Sequence, residues 1–394
     1  MKKLHIPILN ILMAATVLLV SCEDSGSDSH KSKYIYPEND RDWAIAEPEK
    51  YMFDSDKLEK ITEYVEKTDL TCMMVVAGGE QIYKYGSNST VSYIASCRKS
   101  VLAMLYGKYV ENGKVNLYET VGQMIEEYGM KDDVQGLYES EKLATINDLI
   151  TSRSGIYHPA SNPGDNEDKP ERGTMQRGQH YLYNNWDFNF AGAVLERLVE
   201  GSYSNKEIYR IMQRDLAHPI GMCDWDIANQ KYGGTWTGDK AISYYPAYHI
   251  YISARDMARI GYLMLRKGQW NGKQVISKAW CEKITAPYST FEEVNPSGSG
   301  YFNYGYMWWI FDVQYYKDNP AYEGAYMARG AGGQFILVMP KLDLVVAWKT
   351  VTSNNKSTNF SQFRTAMKYL LEAYKGELTI GNSDPEDKYD NYLD

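Results

Sequence analysis

Strand-forming residues gather at the two ends of this chain, and that distribution restricts its fold more than any other feature. Near the N-terminus, "TCMMVVAGGEQIYKYG" (71–86) reads as two β-strands joined at Gly78-Gly79. After Ser299 come "YGYMWWIFD", "GGQFILVMP" and "LDLVVAWKT", dense in β-branched and aromatic residues, with a turn over Pro340 to Asp343. Between about 111 and 250, strand signals are sparse and helix signals frequent. The expectation is an α/β (α+β) architecture, an antiparallel sheet flanked by helices. Segments 51–96 and 250–375 build the sheet domain, and a mainly helical domain, 97–249, is inserted between them.

Helix signals support this division. "DSDKLEKITEYVEKT" (54–68) opens on capping residues and places Leu58, Ile61 and Val65 on one face. Capping boxes are expected at Ser204 with Glu207 and at Ser253 with Asp256. "NFSQFRTAMKYLLEAYK" closes the body as a helix, and 376–394 reads as a frayed tail. Residues 158–180, rich in Pro, Gly and charge, are expected to form a long surface loop.

The first residues carry an address. Lys2 and Lys3 precede a mostly apolar run, Ile8 to Val20, too short for a comfortable membrane span, so 1–21 reads as a secretory signal. Leu19-Val20-Ser21-Cys22 resembles the bacterial lipobox, which implies lipidation at Cys22 and a lipid-anchored protein of the bacterial cell envelope. Residues 22–50 then serve as tether and lead-in. A net charge of −9, with no basic stripe, argues against nucleic acid as a partner. The remaining cysteines, Cys72, Cys97, Cys223 and Cys281, lack metal or redox spacing and are expected as free thiols; the six histidines show no metal pattern.

Chemistry is suggested first by Ser96-Cys97-Arg98-Lys99, an SxxK where a strand-like run gives way to a helix. Residues i and i+3 share a helix face, so the Lys99 amine can reach the Ser96 hydroxyl. To act as a base that amine must be neutral, which requires burial or cationic neighbours. The bland alternative is a helix-capping serine beside an exposed lysine. A second SxxK, Ser353 to Lys356, lies in a polar loop and is expected to be idle.

From Ala95, "ASCRKSVLAMLYGKYVENGKVNLYETVGQMI", followed by "ATINDLITSRSGIYH", resembles the serine hydrolases of the class C β-lactamase, DD-peptidase and family VIII esterase group, and the resemblance runs in order over nearly all of 54–375. It implies an active site between a sheet-containing domain and a helical domain, with Ser96 as nucleophile and Lys99 as proton acceptor. The family's Tyr-x-Asn resembles Tyr183-Asn184-Asn185, which implies a proton relay by Tyr183 and a holding role for Asn185. YxN alone is weak in a chain with 35 tyrosines, and Tyr203, Tyr301 and Tyr389 also begin such triplets. The third motif departs from the pattern: where the family carries Lys-Thr-Gly or a histidine variant, this chain has Ala328-Arg329-Gly330. Gly330 fits, and by analogy the N–H of Ala331 joins that of Ser96 in an oxyanion hole. Arg329 either supplies a cation to a substrate carboxylate or points to solvent.

The expected function is therefore a serine hydrolase acting through an acyl-Ser96 intermediate on an ester or amide, such as a D-amino-acid peptide or β-lactam-like molecule, without metal or organic cofactor. The alternative is a non-catalytic envelope lipoprotein that retains the penicillin-binding fold.

Overall fold

The computed structural model describes residues 34–164, 169–203, 206–232 and 237–378. The signal segment, Cys22, the polar stretch after it, Ser204 and most of the C-terminal tail lie outside the described residues.

Helix α1 (Ser55–Val65) starts at Asp54, whose carboxylate accepts from the Lys57 N–H. Strands β1 (Cys72–Ala77) and β2 (Glu80–Gly86) follow. The hairpin between them needs both of its glycines, since Gly78 and Gly79 lie at φ 58° and 97°, the left-handed region that the tight two-residue turn demands. After β3 (Ser92–Tyr93), the chain enters α2 (Cys97–Glu111), then three short helices, Val121–Glu126, Glu139–Lys142 and Ile146–Ile150, and a long loop leading to α3 (Asn185–Glu200). It returns through β4 (Tyr251–Ile252), which pairs with β3, and α4 (Ala254–Leu265). Strands β5 (Phe302–Tyr304), β6 (Trp309–Phe311), β7 (Tyr326–Gly330), β8 (Gln334–Met339) and β9 (Leu344–Lys349) and helix α5 (Phe360–Ala373) complete the body.

The main sheet is seven-stranded and antiparallel throughout, in the order β2-β1-β9-β8-β7-β6-β5. Alternation along each strand divides its side chains between two cores. Met73, Val75, Leu337, Val346 and Trp348 face α1 and α5, through Leu58, Ile61, Phe363 and Leu370. Met74, Val76, Ile336, Val345 and Ala347 face the other way, and this core is continuous with α2, α3 and α4. Helix α4 approaches the sheet so closely that a Cβ on Gly261 would stand 2.6 Å from Val345 Cγ1. Helix α2 lies between the sheet and the helical region, touching β7, β8 and α3.

The lead-in after Tyr34 packs as a strap over α4. Trp43 is buried and donates to the Arg255 carbonyl at 3.2 Å, while the buried guanidinium of Arg259 donates to the carbonyls of Glu38, Arg41 and Ile220. At the start of α4, Ser253 caps the Asp256 N–H as expected. The Asp256 carboxylate does not close the box; it accepts instead from the N–H groups of Cys223 and Asp224, binding the preceding loop to the helix. All four cysteines in the described residues are free.

One buried charge in the sheet has a measurable consequence. Lys349 is fully buried, and among the described residues its one hydrogen-bond acceptor is the Ser92 carbonyl at 3.1 Å. Burial pushes its ammonium down to about 7, against weaker opposing pulls from the Cys97 and Cys72 thiols. Above that pH the folded chain holds Lys349 neutral, whereas the unfolded chain keeps it protonated until about 10.4. Protons therefore favour unfolding in this window, and stability rises with pH from about 7 upward. Lys349→Met removes this contribution. Denaturant titrations at pH 7 and 9 are expected to show a larger gain on alkalinisation in the wild type than in the variant; equal gains would refute it.

Candidate active site

Ser96 stands at a sharp corner. Ala95 is held at φ 47°, a left-handed conformation that costs a residue with a Cβ about 1 kcal/mol, and the Cys97 N–H turns back to the Ile94 carbonyl at 3.2 Å. The Ser96 side chain makes no capping bond to α2, although it occupies the N-cap position. Lys99, one turn on, is 1% exposed. Both halves of the bland reading, a capping serine and a solvated lysine, are thus absent.

The Lys99 amine is the hub of the site. Its Nζ lies 3.1 Å from Ser96 Oγ, 2.6 Å from the Tyr183 hydroxyl and 2.6 Å from Asn185 Oδ1. It also stands 4.1 Å from the ring centroid of Tyr183 and 4.5 Å from that of Phe188. The partners arrive from the first turn of α3 and the residues before it. Asn184 caps that helix, its Oδ1 accepting from the Trp186 N–H, and its Nδ2 donates to the Ile156 carbonyl at 2.7 Å. Asn185 Nδ2 donates to the Gly164 carbonyl at 3.0 Å, which turns its Oδ1 toward Lys99. Burial pushes the Tyr183 phenol up to about 12, with the Ser96 hydroxyl and the charges of Arg98 and Arg329 pulling the other way.

Gly330, at the end of β7, backs onto the corner that carries Ser96. A Cβ there would sit 2.5 Å from the Ile94 carbonyl oxygen and 3.0 Å from Ala95 Cβ, so the strand can come this close only as glycine. Ala331 follows immediately and is exposed. Arg329 is partly buried and does not point freely into solvent. It projects from the opposite side of β7, its guanidinium 4.6 to 4.9 Å from the ring centroids of Phe360, Phe302 and Trp309. Burial lowers it to about 10.

The other matches to the short motifs fall away from this cluster. Ser353 and Lys356 are exposed beyond β9. Asn303 of the Tyr301 triplet donates to Asp312, and the triplets at Tyr203 and Tyr389 run into residues outside the described set. The expected surface loop 158–180 is anchored in its described parts: Arg172 pairs with buried Glu141 at 2.5 Å and Arg177 with Asp148 at 2.6 Å. Three residues of the site were not anticipated. Ala95 gives no sign in the sequence, because alanine has no preference for its conformation. Phe188 reads as ordinary helix core. Arg98 does carry a signal, a second cation next to Lys99 just ahead of the apolar run 101–106.

A family model described as Beta-lactamase matches residues 59–372. Among solved structures, a protein of Bacillus anthracis provisionally named 6-aminohexanoate-dimer hydrolase superposes with a TM-score of 0.60 at 20% identity, covering 86% of this chain and 88% of its own. A class C beta-lactamase superposes with a TM-score of 0.58 at 15% identity, covering 82% and 96% respectively. An uncharacterized protein of Alkalihalophilus pseudofirmus is 26% identical over 102 residues, a match spanning 25% of this chain and 29% of that one.

Proposed function

Because the chain belongs to the beta-lactamase family, we propose that this hydrolase works through an acyl-Ser96 intermediate, with Lys99 and Tyr183 moving the proton. The observation that carries the reading is the convergence of the Ser96 hydroxyl, the Tyr183 phenol and the Asn185 amide on one buried amine. Ser96 Oγ attacks a carbonyl carbon as its proton passes to the Lys99–Tyr183 pair. The N–H groups of Ser96 and Ala331 receive the developing oxyanion. The pair returns the proton to the leaving alcohol or amine, and water then cleaves the acyl ester. Two interacting groups share that proton, so the pair titrates as a unit.

The substrate is an ester or amide, with D-amino-acid peptides and their relatives as the class to test first. Ala328 supplies no cation at the point where the resemblance leads one to expect it, which favours substrates other than carboxylate-bearing β-lactam drugs. Export and anchoring through Cys22 would place the enzyme at the bacterial cell envelope.

The test is labelling by a fluorescent fluorophosphonate of wild type and Ser96→Ala. Label is expected on the wild type, at Ser96 by peptide mapping, and absent from the variant. Equal labelling of both, or of neither, would overturn the reading in favour of a binding protein that keeps the fold.

A further inference from the structure

Between Ser96 and Lys99 the helix carries another cation. Arg98 is 2% exposed, its guanidinium lies 4.4 Å from the ring centroid of Tyr248, and one of its terminal nitrogens donates to Asn189 Oδ1 at 3.1 Å. Among the described residues its Nε and its other terminal nitrogen are buried with no hydrogen-bond partner beyond the neighbouring Tyr93 and Tyr248 phenols. Among the described residues no carboxylate pairs with it, and the titratable groups that act on it most are the phenols of Tyr248, Tyr93 and Tyr183. An arginine cannot shed its proton, and a buried charge without a counter-ion costs several kcal/mol. If the residue served only to stack on Tyr248, a neutral side chain of similar length would do so without that cost.

The charge has a receiver. Arg98 and Lys99 hold acceptors one helical turn apart on α3, Asn189 and Asn185, which sets the guanidinium beside the amine, and its field also reaches the Tyr183 phenol that bonds to Lys99. The other groups facing the pair do not cancel it. Ser96 and Asn185 are neutral, and burial pushes the Cys97 thiol up and the Tyr181 and Tyr304 phenols well above their ordinary range, which keeps all three protonated. Arg329 adds a charge of the same sign. His249, stacked on Tyr93 at 4.2 Å, is pushed down to about 3, first by burial and then by Arg98 and Lys231, so it carries no charge at neutral pH.

We infer that Arg98 is an electrostatic positioning residue: its fixed, unpaired charge disfavours an extra proton on the Lys99–Tyr183 pair, leaving the pair free to take the Ser96 proton near neutral pH. This inference rests on the acyl-Ser96 reading above. In the step concerned, the Ser96 O–H bond breaks as Oγ bonds the electrophile, and the proton moves to the pair.

The experiment is the second-order rate of fluorophosphonate labelling of Ser96 from pH 5 to 9.5. In Arg98→Met the acid limb of the profile is expected to move up by about one unit, giving a roughly tenfold slower reaction at pH 6 and convergence with wild type at high pH. Arg98→Lys is expected to keep the limb in place over the acid range, where a buried ammonium such as that of Lys349 still holds its proton. Asn189→Asp tests the same point with Arg98 in place, since a carboxylate at the existing acceptor position would neutralise the guanidinium, although the amide's bonds to Asn162 Oδ1 and the Tyr245 carbonyl are lost; with cooperative unfolding retained, its limb is expected to move in the same direction. An unmoved limb in Asn189→Asp, or in a folded Arg98→Met, would overturn the inference, even if the plateau fell. Absence of Ser96 labelling in the wild type would instead defeat the acyl-serine reading.

Discussion

Exchanging Lys99 for methionine is expected to slow Ser96 labelling by roughly 10³-fold or more, the scale lost when a nucleophile is deprived of its base. The fold should survive. Methionine has a similar length, and its thioether can lie against the Tyr183 and Phe188 rings that now flank the amine. Two opposing changes bear on stability: a buried amine no longer has to be desolvated, while the Tyr183 hydroxyl and Asn185 Oδ1 lose a donor each. Each is on the order of 1–3 kcal/mol, so the net shift is expected within about 2 kcal/mol of zero. Labelling rates and urea midpoints measured on the same preparation separate the two quantities. A variant that labels within tenfold of wild type would remove Lys99 from the chemistry.

The second large effect is expected at Gly330→Ala, where one methyl group is added outside the reacting set. Its Cβ would fall 2.5 Å from the Ile94 carbonyl oxygen, a backbone atom that cannot rotate away. Either β7 retreats or the Ile94–Ala95 corner yields, and both motions change the spacing between the Ser96 and Ala331 N–H groups. Misplacing one oxyanion donor costs about 10²–10³-fold in rate. Overpacking costs about 1–3 kcal/mol of stability, too little to unfold a chain of ordinary stability. The expected signature is a labelling rate reduced at least a hundredfold in a protein whose thermal unfolding is still cooperative. A rate within threefold of wild type would show that β7 does not set the oxyanion geometry.

Features fixed by neighbours a few residues apart were legible in the sequence: the Asp54 cap, the Gly78-Gly79 turn, the strand alternation, and the reach of Lys99 to Ser96 across one helical turn. The gathering of Tyr183 and Asn185 onto that turn was readable only through resemblance, since 84 residues separate Tyr183 from Lys99 and no local preference encodes their meeting. What stayed hidden was decided by tertiary competition. Asp256 has the right spacing to close its own cap, yet two loop N–H groups claim its carboxylate. The strand phase of Arg329 was open from the sequence, and three rings on the α5 side of the sheet settle it. The 158–180 segment has the composition of a free loop, but its arginines find carboxylates on the helical region.

The order of the sheet also bears on how the chain is made. Strand β1 lies between β2 and β9, with Cys72 opposite Lys349, so one flank of the first hairpin stays open until Lys349 has left the ribosome. At about 5–20 residues per second that delay is roughly 15 to 60 seconds, during which an apolar strand presents an unpaired edge. Nascent chains of this protein should therefore depend on holdase chaperones until the last strand emerges, and truncation before β9 should yield aggregates rather than a smaller folded core.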